Sequence, residues 1–285
     1  MSSNAPTKSW GTGAVLLFIV LPLIAGILLS LLIPRPIIGI IQLNDAIMSN
    51  TAQDMITQIT YARQNPAVRA VVLVINSPGG TVTDTESVYL ELNRLRQVKP
   101  IVTVVEGMAA SGAYYISVGT DYIFAKPSSE VGNVGVIGNL PPTPLVMEDL
   151  YSTGPYKLWG EPRDAFINEI ETLKQGFIQA VMLGRGSALK TSKETVLRGQ
   201  IWTGSEALKL GLIDALGTQS QAYDKAAKMA HVSHYEVEDL REPAGVSPTM
   251  PSIPFFMKSA DGMVLPYPAK PGIYMLYVPP AEGRP

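Results

Sequence analysis

The sequence predicts an α/β protein, a parallel β-sheet with flanking helices, preceded by one N-terminal transmembrane helix. Three observations lead there. Apolar, β-branched runs at Ile37–Leu43, Val68–Ile75 and Ile101–Val105 show no polar alternation, as expected of strands covered on both faces. Segments of helical period follow them, which gives βαβ units with right-handed connections. Ahead of all of these lie twenty residues without a charge, Ala14 to Ile33. As a helix that many residues rise about 30 Å, the hydrocarbon thickness of a bilayer.

Pro22 and Gly26 fall inside the uncharged run and are better tolerated in membrane helices than in soluble ones. Pro34-Arg35-Pro36 stops it. The run is longer than the apolar stretch of a cleaved signal peptide, and Ser30-Leu-Leu-Ile-Pro-Arg35 offers no small-x-small cleavage site. It therefore reads as an uncleaved anchor. Lys8 before it and Arg35 after it leave its orientation open.

Between the first two strands, Thr51–Arg63 is predicted helical, with Met55, Ile56 and Ile59 on one face. Thr81–Arg96 follows in the same way, with Val88, Leu92 and Leu95 at spacings of four and three. After the third strand come a helix opening at Ser111, a short strand Tyr122–Ala125 and a strand at Val134–Ile137. Phe166–Gly186 then carries Ile167, Ile170, Leu173, Phe177, Ile178 and Val181 at helical spacing. Shorter helices are expected around Thr195–Arg198 and Ser205–Leu210, and a last one at Gln219–Met229. From Arg241 to Pro285, ten of 45 residues are proline and no period is sustained, so this tail is expected to be extended or disordered. The resulting division is an N-terminal tail (1–13), an anchor (14–33), a globular domain (34–240) and a Pro-rich tail (241–285). One apolar stretch in the tail, Ile273–Val278, can pack on a neighbouring copy, enter a groove of the domain, touch membrane or stay in solvent.

Composition narrows the chemistry. The 285 residues carry a net charge of −2, which gives no electrostatic footprint for nucleic acid. Only 16% of residues are charged, low for a wholly soluble protein, and the anchor accounts for part of that. Cysteine is absent, which removes thiol nucleophiles, disulfides and thiolate metal sites. The two histidines, His231 and His234, have an i,i+3 spacing that could suit a metal, but no third histidine or carboxylate pattern completes a site. They are expected to cap the last helix, and no metal or cofactor is expected.

Ser111 lies in Glu106-Gly-Met-Ala-Ala-Ser-Gly-Ala-Tyr-Tyr-Ile116, at a strand-to-helix turn among residues too small to block it. Asn76-Ser-Pro-Gly-Gly80 ends the preceding strand in a similar turn. Two such turns at neighbouring strand ends can supply a hydroxyl nucleophile and the backbone N–H groups that hold an oxyanion. A serine hydroxyl needs a base. The G-x-S-x-G elbow is absent, and both histidines lie far along the chain, which leaves lysine in a Ser–Lys pairing. Lys157, in Ser152-Thr-Gly-Pro-Tyr-Lys-Leu-Trp159, has neighbours able to desolvate it and so lower its pKa. Spacing alone does not select it over Lys126 or Lys174.

Taken in order, several motifs between Ile37 and Ala230 resemble the signal peptide peptidase A family of membrane-anchored serine proteases, whose fold is related to Clp protease and the crotonases. They are Ile75-Asn-Ser-Pro-Gly-Gly80, Ala110-Ser-Gly-Ala-Tyr-Tyr115, Asp121-Tyr-Ile-Phe-Ala125, Gly132-Asn-Val-Gly-Val-Ile137, Gly154-Pro-Tyr-Lys157, Arg185, Gly199-Gln-Ile-Trp-Thr-Gly204 and Ala207-Leu-Lys-Leu-Gly-Leu-Ile-Asp214. The resemblance implies Ser111 as nucleophile and Lys157 as general base. It implies an oxyanion hole from the N–H of Gly79 or Gly80 together with that of Gly112. It further implies peptide substrates such as signal-peptide remnants, a homo-oligomer, a single-pass membrane location and a catalytic domain outside the cytoplasm. Three departures stand out: Ala113 and Asn133 replace the family's usual Gly and Ser, and the Gly-Asn-Leu-Pro-Pro-Thr-Pro run after Ile137 is unlike the usual sequence. Two other functions remain open. One is a catalytically silent membrane scaffold of the same fold; the other is an acyl-CoA enzyme of crotonase type, which would want catalytic carboxylates.

Overall fold

The computed structural model describes residues 12–31, 35–141, 152–157, 160–247, 256–258, 264–266 and 273–276. The first of these segments is helical in three consecutive pieces: α1 (Thr12–Val15), a π-helical turn (Leu16–Val20) and α2 (Leu21–Leu31). Among the described residues no single helix is long and apolar enough to cross a membrane. The apolar side chains of Leu16, Leu17, Phe18, Leu21 and Leu23 are nevertheless exposed.

The body begins at β1 (Ile37–Leu43), whose apolar residues are buried along most of its length. Then follow α3 (Ser49–Gln64), β2 (Val68–Ser77), the short β3 (Gly79–Thr81) and α4 (Val82–Arg96). The Thr81 side chain caps α4 by accepting from the Asp84 N–H at 3.2 Å. Beyond it lie β4 (Ile101–Ala110), α5 (Gly112–Ser117), β5 (Tyr122–Ala125), β6 (Glu130–Gly132) and β7 (Ile137–Gly138). The second half is mostly helical: α6 (Arg163–Arg185), α7 (Lys193–Val196), β8 (Ile201–Thr203), α8 (Gly204–Leu210), β9 (Ala215–Leu216), α9 (Gln219–Met229) and β10 (Glu236–Asp239).

The main sheet runs β10-β1-β2-β4-β5-β9, and every pair along this path is parallel. Because strand side chains alternate between faces, each strand feeds two cores. On one face Ile41, Leu73 and Val105 pack with Met55 and Ile59 of α3, Leu92 of α4 and Phe177 of α6. On the other, Ile40, Val72 and Val104 meet Ala222, Ala226 and Ala227 of α9. That double coverage explains why these strands read as unbroken apolar runs.

An ion pair between a buried arginine and a half-buried aspartate ties the helical half to the sheet. Both terminal nitrogens of Arg185 donate to Asp214 at 2.9 Å, and its Nε donates to the Gly211 carbonyl at 2.9 Å. Asp214 Oδ2 also accepts the Ile123 N–H at 2.8 Å. Nearby, the Tyr114 hydroxyl donates to the Leu212 carbonyl at 2.8 Å, so α5 is anchored to the same turn.

Two expectations need correction. The strand placed at Val134–Ile137 is instead two short strands, β6 and β7, separated by an unpaired stretch. Gly132 (φ 117°) and Asn133 (φ 54°) turn the chain out of extended geometry there. Val134 is fully buried, so the apolar pattern reported burial rather than ladder pairing. The tail also contributes more than loose chain. Its described residues form the antiparallel pair β11 (Phe256–Lys258) and β12 (Val264–Pro266), and β13 (Ile273–Leu276), which joins a sheet of order β3-β13-β7.

Replacing Asp214 with Ala leaves the Arg185 guanidinium buried without its carboxylate. The expected loss is about 3–5 kcal/mol in chemical denaturation. Removal of the exposed partner Glu236 from Arg35 should shift the same measurement by less than about 0.5 kcal/mol.

Candidate active site

The site grows out of a mismatch between β2 and β4. Ile75 pairs with Val105, but the next pair is Ser77 with Ala109, so Asn76 alone faces Glu106, Gly107 and Met108. The Asn76 side chain fills the bulge, its Oδ1 accepting the Met108 N–H at 3.2 Å. A Cβ on Gly107 would come within 2.4 Å of that oxygen, so any larger residue there displaces the Asn76 side chain from the bulge.

Beyond the bulge, β4 ends at Ala110 and the chain turns sharply at Ser111 (φ 52°, ψ −121°) into α5. Positive φ in a serine costs about 1–3 kcal/mol and persists only where the surroundings impose it. Here the Ser111 N–H donates to the Gly132 carbonyl at 2.8 Å, and its carbonyl accepts the Tyr115 N–H at 2.9 Å. Ala110, Gly112, Ala113 and Tyr114 around it are all buried. A strained strand-to-helix turn is also how G-x-S-x-G enzymes present their serine, although that motif is absent here. Within the described residues the Ser111 Oγ makes no side-chain hydrogen bond.

The two glycines of the Pro-Gly-Gly turn have different roles. The Gly79 N–H donates inward to Ser77 Oγ at 3.2 Å. Ile47 lies beside the turn, donating its N–H to Gly79 O at 2.8 Å and accepting from Thr81 N–H at 3.0 Å. Successive strand residues point their polar groups to opposite sides. The Gly80 N–H and carbonyl therefore face away from Ile47, toward β13. A Cβ at Gly80 would sit 1.8 Å from the Ile47 carbonyl oxygen, which leaves glycine as the one residue that fits. Of the two expected donors in this turn, Gly80 is thus the one that faces β13. The Gly112 N–H, first in α5, follows the serine directly.

The three lysines weighed from the sequence are in different situations. Lys126 pairs with Glu106 of the bulge. Lys174 pairs with Glu171 one turn away on α6, at 2.5 Å. Lys157 sits exposed on a turn, its N–H donating to the Gly154 carbonyl at 3.2 Å, with no salt bridge among the described residues. Tyr156 beside it is exposed, while Leu158 and Trp159 lie outside the described residues. The fold thus sets α5, which follows Ser111, against β3, which carries Gly80, and among the described residues no hydrogen bond joins Lys157 to Ser111.

Several other residues make turn or packing contacts. Asn133 Nδ2 donates to the Gly199 carbonyl at 2.7 Å and holds the left-handed corner beyond Gly132. Tyr115 packs edge-on between Tyr89 (4.8 Å) and Phe177 (5.0 Å), and burial pushes its hydroxyl up to about 12. Asn76 and Ser77 are legible in the sequence only as part of a turn motif; their side-chain roles emerge with the strand register. His231 adopts φ 57° just past α9, and His234 Nδ1 lies 3.2 Å from Ser233 Oγ.

Parts of the chain are similar to known proteins. The pattern of Peptidase family S49 matches residues 93–233, and that of Clp protease matches residues 37–131. Protease 4 of Salmonella typhi is 35% identical over 201 residues, 64% of this chain and 32% of its own length. A candidate protease of Synechocystis sp. is 32% identical over 218 residues, 72% of this chain and 78% of its own. A candidate signal peptide peptidase SppA of Enterococcus faecium is 30% identical over 191 residues, 62% of this chain and 55% of its own. The chain therefore spans about a third of Protease 4 and most of the Synechocystis protein.

Backbone strain at Ser111 predicts that Ser111→Gly is more stable than Ser111→Ala by about 1 kcal/mol or more, the reverse of the usual order. Gly80→Ala should cost about 1–3 kcal/mol through its collision with Ile47. In contrast, Gly176→Ala in the middle of α6, where a Cβ meets nothing within 4 Å, should add about 0.5–1 kcal/mol. Thermal or denaturant unfolding of the four variants checks all three statements.

Proposed function

We propose that this chain, which belongs to peptidase family S49, is a serine endopeptidase with Ser111 as nucleophile and Lys157 as general base. The observation that carries the reading is the turn at Ser111. A strained serine is held beside two backbone N–H groups, Gly80 and Gly112, on elements fixed by the sheet. A substrate peptide enters as an added strand along β3, taking the place that β13 occupies on that edge. Neutral Lys157 takes the Ser111 proton as Oγ attacks the scissile carbonyl. The Gly80 and Gly112 N–H groups hold the resulting oxyanion; losing one such donor typically costs about 3–4 kcal/mol. The proton passes to the leaving amine, and water activated by the same lysine then hydrolyses the acyl-enzyme. This chemistry calls for no metal or cofactor.

Lys157 acts as a base only when it is neutral, and desolvation is what lowers a lysine pKa. Its exposure in one copy supports a dyad completed by docking of the 152–157 turn, on its own chain or on a neighbour in a homo-oligomer. The uncharged run Ala14–Ile33, with its consecutive helical pieces and exposed apolar side chains, supports anchoring to a lipid bilayer. A membrane-bound peptidase with small residues around its serine suits aliphatic peptides released from membrane, such as signal-peptide remnants, on the extracytoplasmic side. The second reading, a silent scaffold, draws on that same separation of Lys157 from Ser111.

Labelling by an active-site-directed fluorophosphonate separates the two readings. The anchored protein is expected to label and to hydrolyse an aliphatic peptide substrate. Ser111→Ala and Lys157→Ala should each lower kcat by about 10⁴-fold or more. Full activity in either variant refutes the dyad, and absence of labelling in the unmodified protein favours the scaffold. Deleting residues 1–36 should move the protein from the membrane pellet to the supernatant.

A further inference from the structure

We propose that Ile273–Leu276 is the groove's resident occupant, a tethered segment that fills the subsites before the scissile bond and competes with substrate. The inference rests on the reading of this groove as the peptide site. Tyr274 pairs with Thr81 on one side and with Ile137 on the other, while Met275 faces Gly80 and Leu276 faces Gly79. β13 is thus the central strand of three, antiparallel to both neighbours, and it also lies against α4 and α5. A segment paired on both edges uses the backbone groups that an incoming peptide would need, including those of Gly80.

The direction of the strand is informative. Ser77 pairs with Ala109, two residues before Ser111, and Gly79 lies two residues past Ser77. β13 therefore advances, in its own N-to-C direction, from Thr81 toward the end of β3 nearest the serine. That is the course of a substrate approaching with its residues upstream of the bond to be cut. Pro271 precedes the segment, and Pro279-Pro280 follow it three residues beyond Leu276. Proline has no N–H for a ladder, so the pairing register is confined to the residues between them. The 26 residues from Ser247 to Gly272 link the strand to the body. A covalent tether of modest length gives effective concentrations on the order of millimolar, enough to outcompete weakly bound peptides.

The placement is tested without relying on catalysis. In the anchored Ser111→Ala protein, hydrogen–deuterium exchange at Gly80 and at residues 137–138 is compared with and without residues 273–285. Faster exchange on truncation is expected; unchanged exchange overturns the proposal. The full-length Met275→Pro variant loses the N–H facing Gly80 and should reproduce the faster exchange, which guards against a general effect of truncation. In the active protein, both changes should raise kcat/KM for an aliphatic peptide by at least about fivefold through KM, with kcat unchanged. A synthetic Ile273–Val278 peptide should restore competitive inhibition to the truncated protein. Equal kcat/KM in all forms refutes the competition. If no form turns over substrate or labels, the peptidase reading fails, and the exchange result still decides where the tail sits.

Discussion

The site depends on one close backbone approach, that of Ile47 to Gly80. Ile47 grips both flanks of this glycine through Gly79 O and Thr81 N–H. The grip leaves no room for a side chain, with the Ile47 carbonyl oxygen 1.8 Å from where a Cβ would stand. Because strand residues alternate in direction, fixing Gly79 and Thr81 on one side commits Gly80 to the other. The oxyanion donor of the proposed reaction and the edge on which a peptide pairs are thus set by a contact that involves no catalytic side chain. Gly79, one residue earlier, turns its N–H inward to Ser77.

Ser111 is held by a second and longer chain of constraint. The bulge opposite Asn76 offsets β4 from β2, and the Gly132 carbonyl takes the Ser111 N–H. α5 has only six residues and cannot hold the strained turn through its own hydrogen bonds. Tyr114 fastens it to the Leu212 carbonyl, and Arg185 fastens that turn through Gly211 and Asp214. Arg185 and Asp214 thus act on the serine through packing. Motif similarity alone would place them beside the functional residues without distinguishing that role.

Much of the fold was legible in the sequence because its strands are buried on both faces. Ile37–Leu43, Val68–Ile75 and Ile101–Val105 announce themselves by apolar content alone. Short strands such as β9 (two residues) or the polar edge strand β10 carry too few residues for any period to show. Val134 misled because burial in a coil and burial in a strand look alike. Ser111 could be singled out because a serine among glycines and alanines at a strand end is unusual chemistry in an unusual place. Gly79 and Gly80 could not be told apart, since what separates them is Ile47, more than thirty residues earlier. The lysines differ only in their partners, Glu106 for Lys126 and Glu171 for Lys174, and partners appear only with the fold.

The structure divides the proposed chemistry between rigid and added parts. The proposed nucleophile and both proposed oxyanion donors stand on the sheet and on α5, where register and close packing hold them. The base lies on an exposed turn, and the strand in the groove comes from a distant part of the chain. Strained geometry at Ser111 can only be maintained by the first kind of element, because it needs surroundings that over-determine the backbone. A lysine base has to be neutral when it takes the proton, and covering an exposed turn is one way to desolvate it. Turnover under this arrangement requires the base to be buried and the tail strand to leave. In the proposed reaction, two segments outside the core therefore gate the serine.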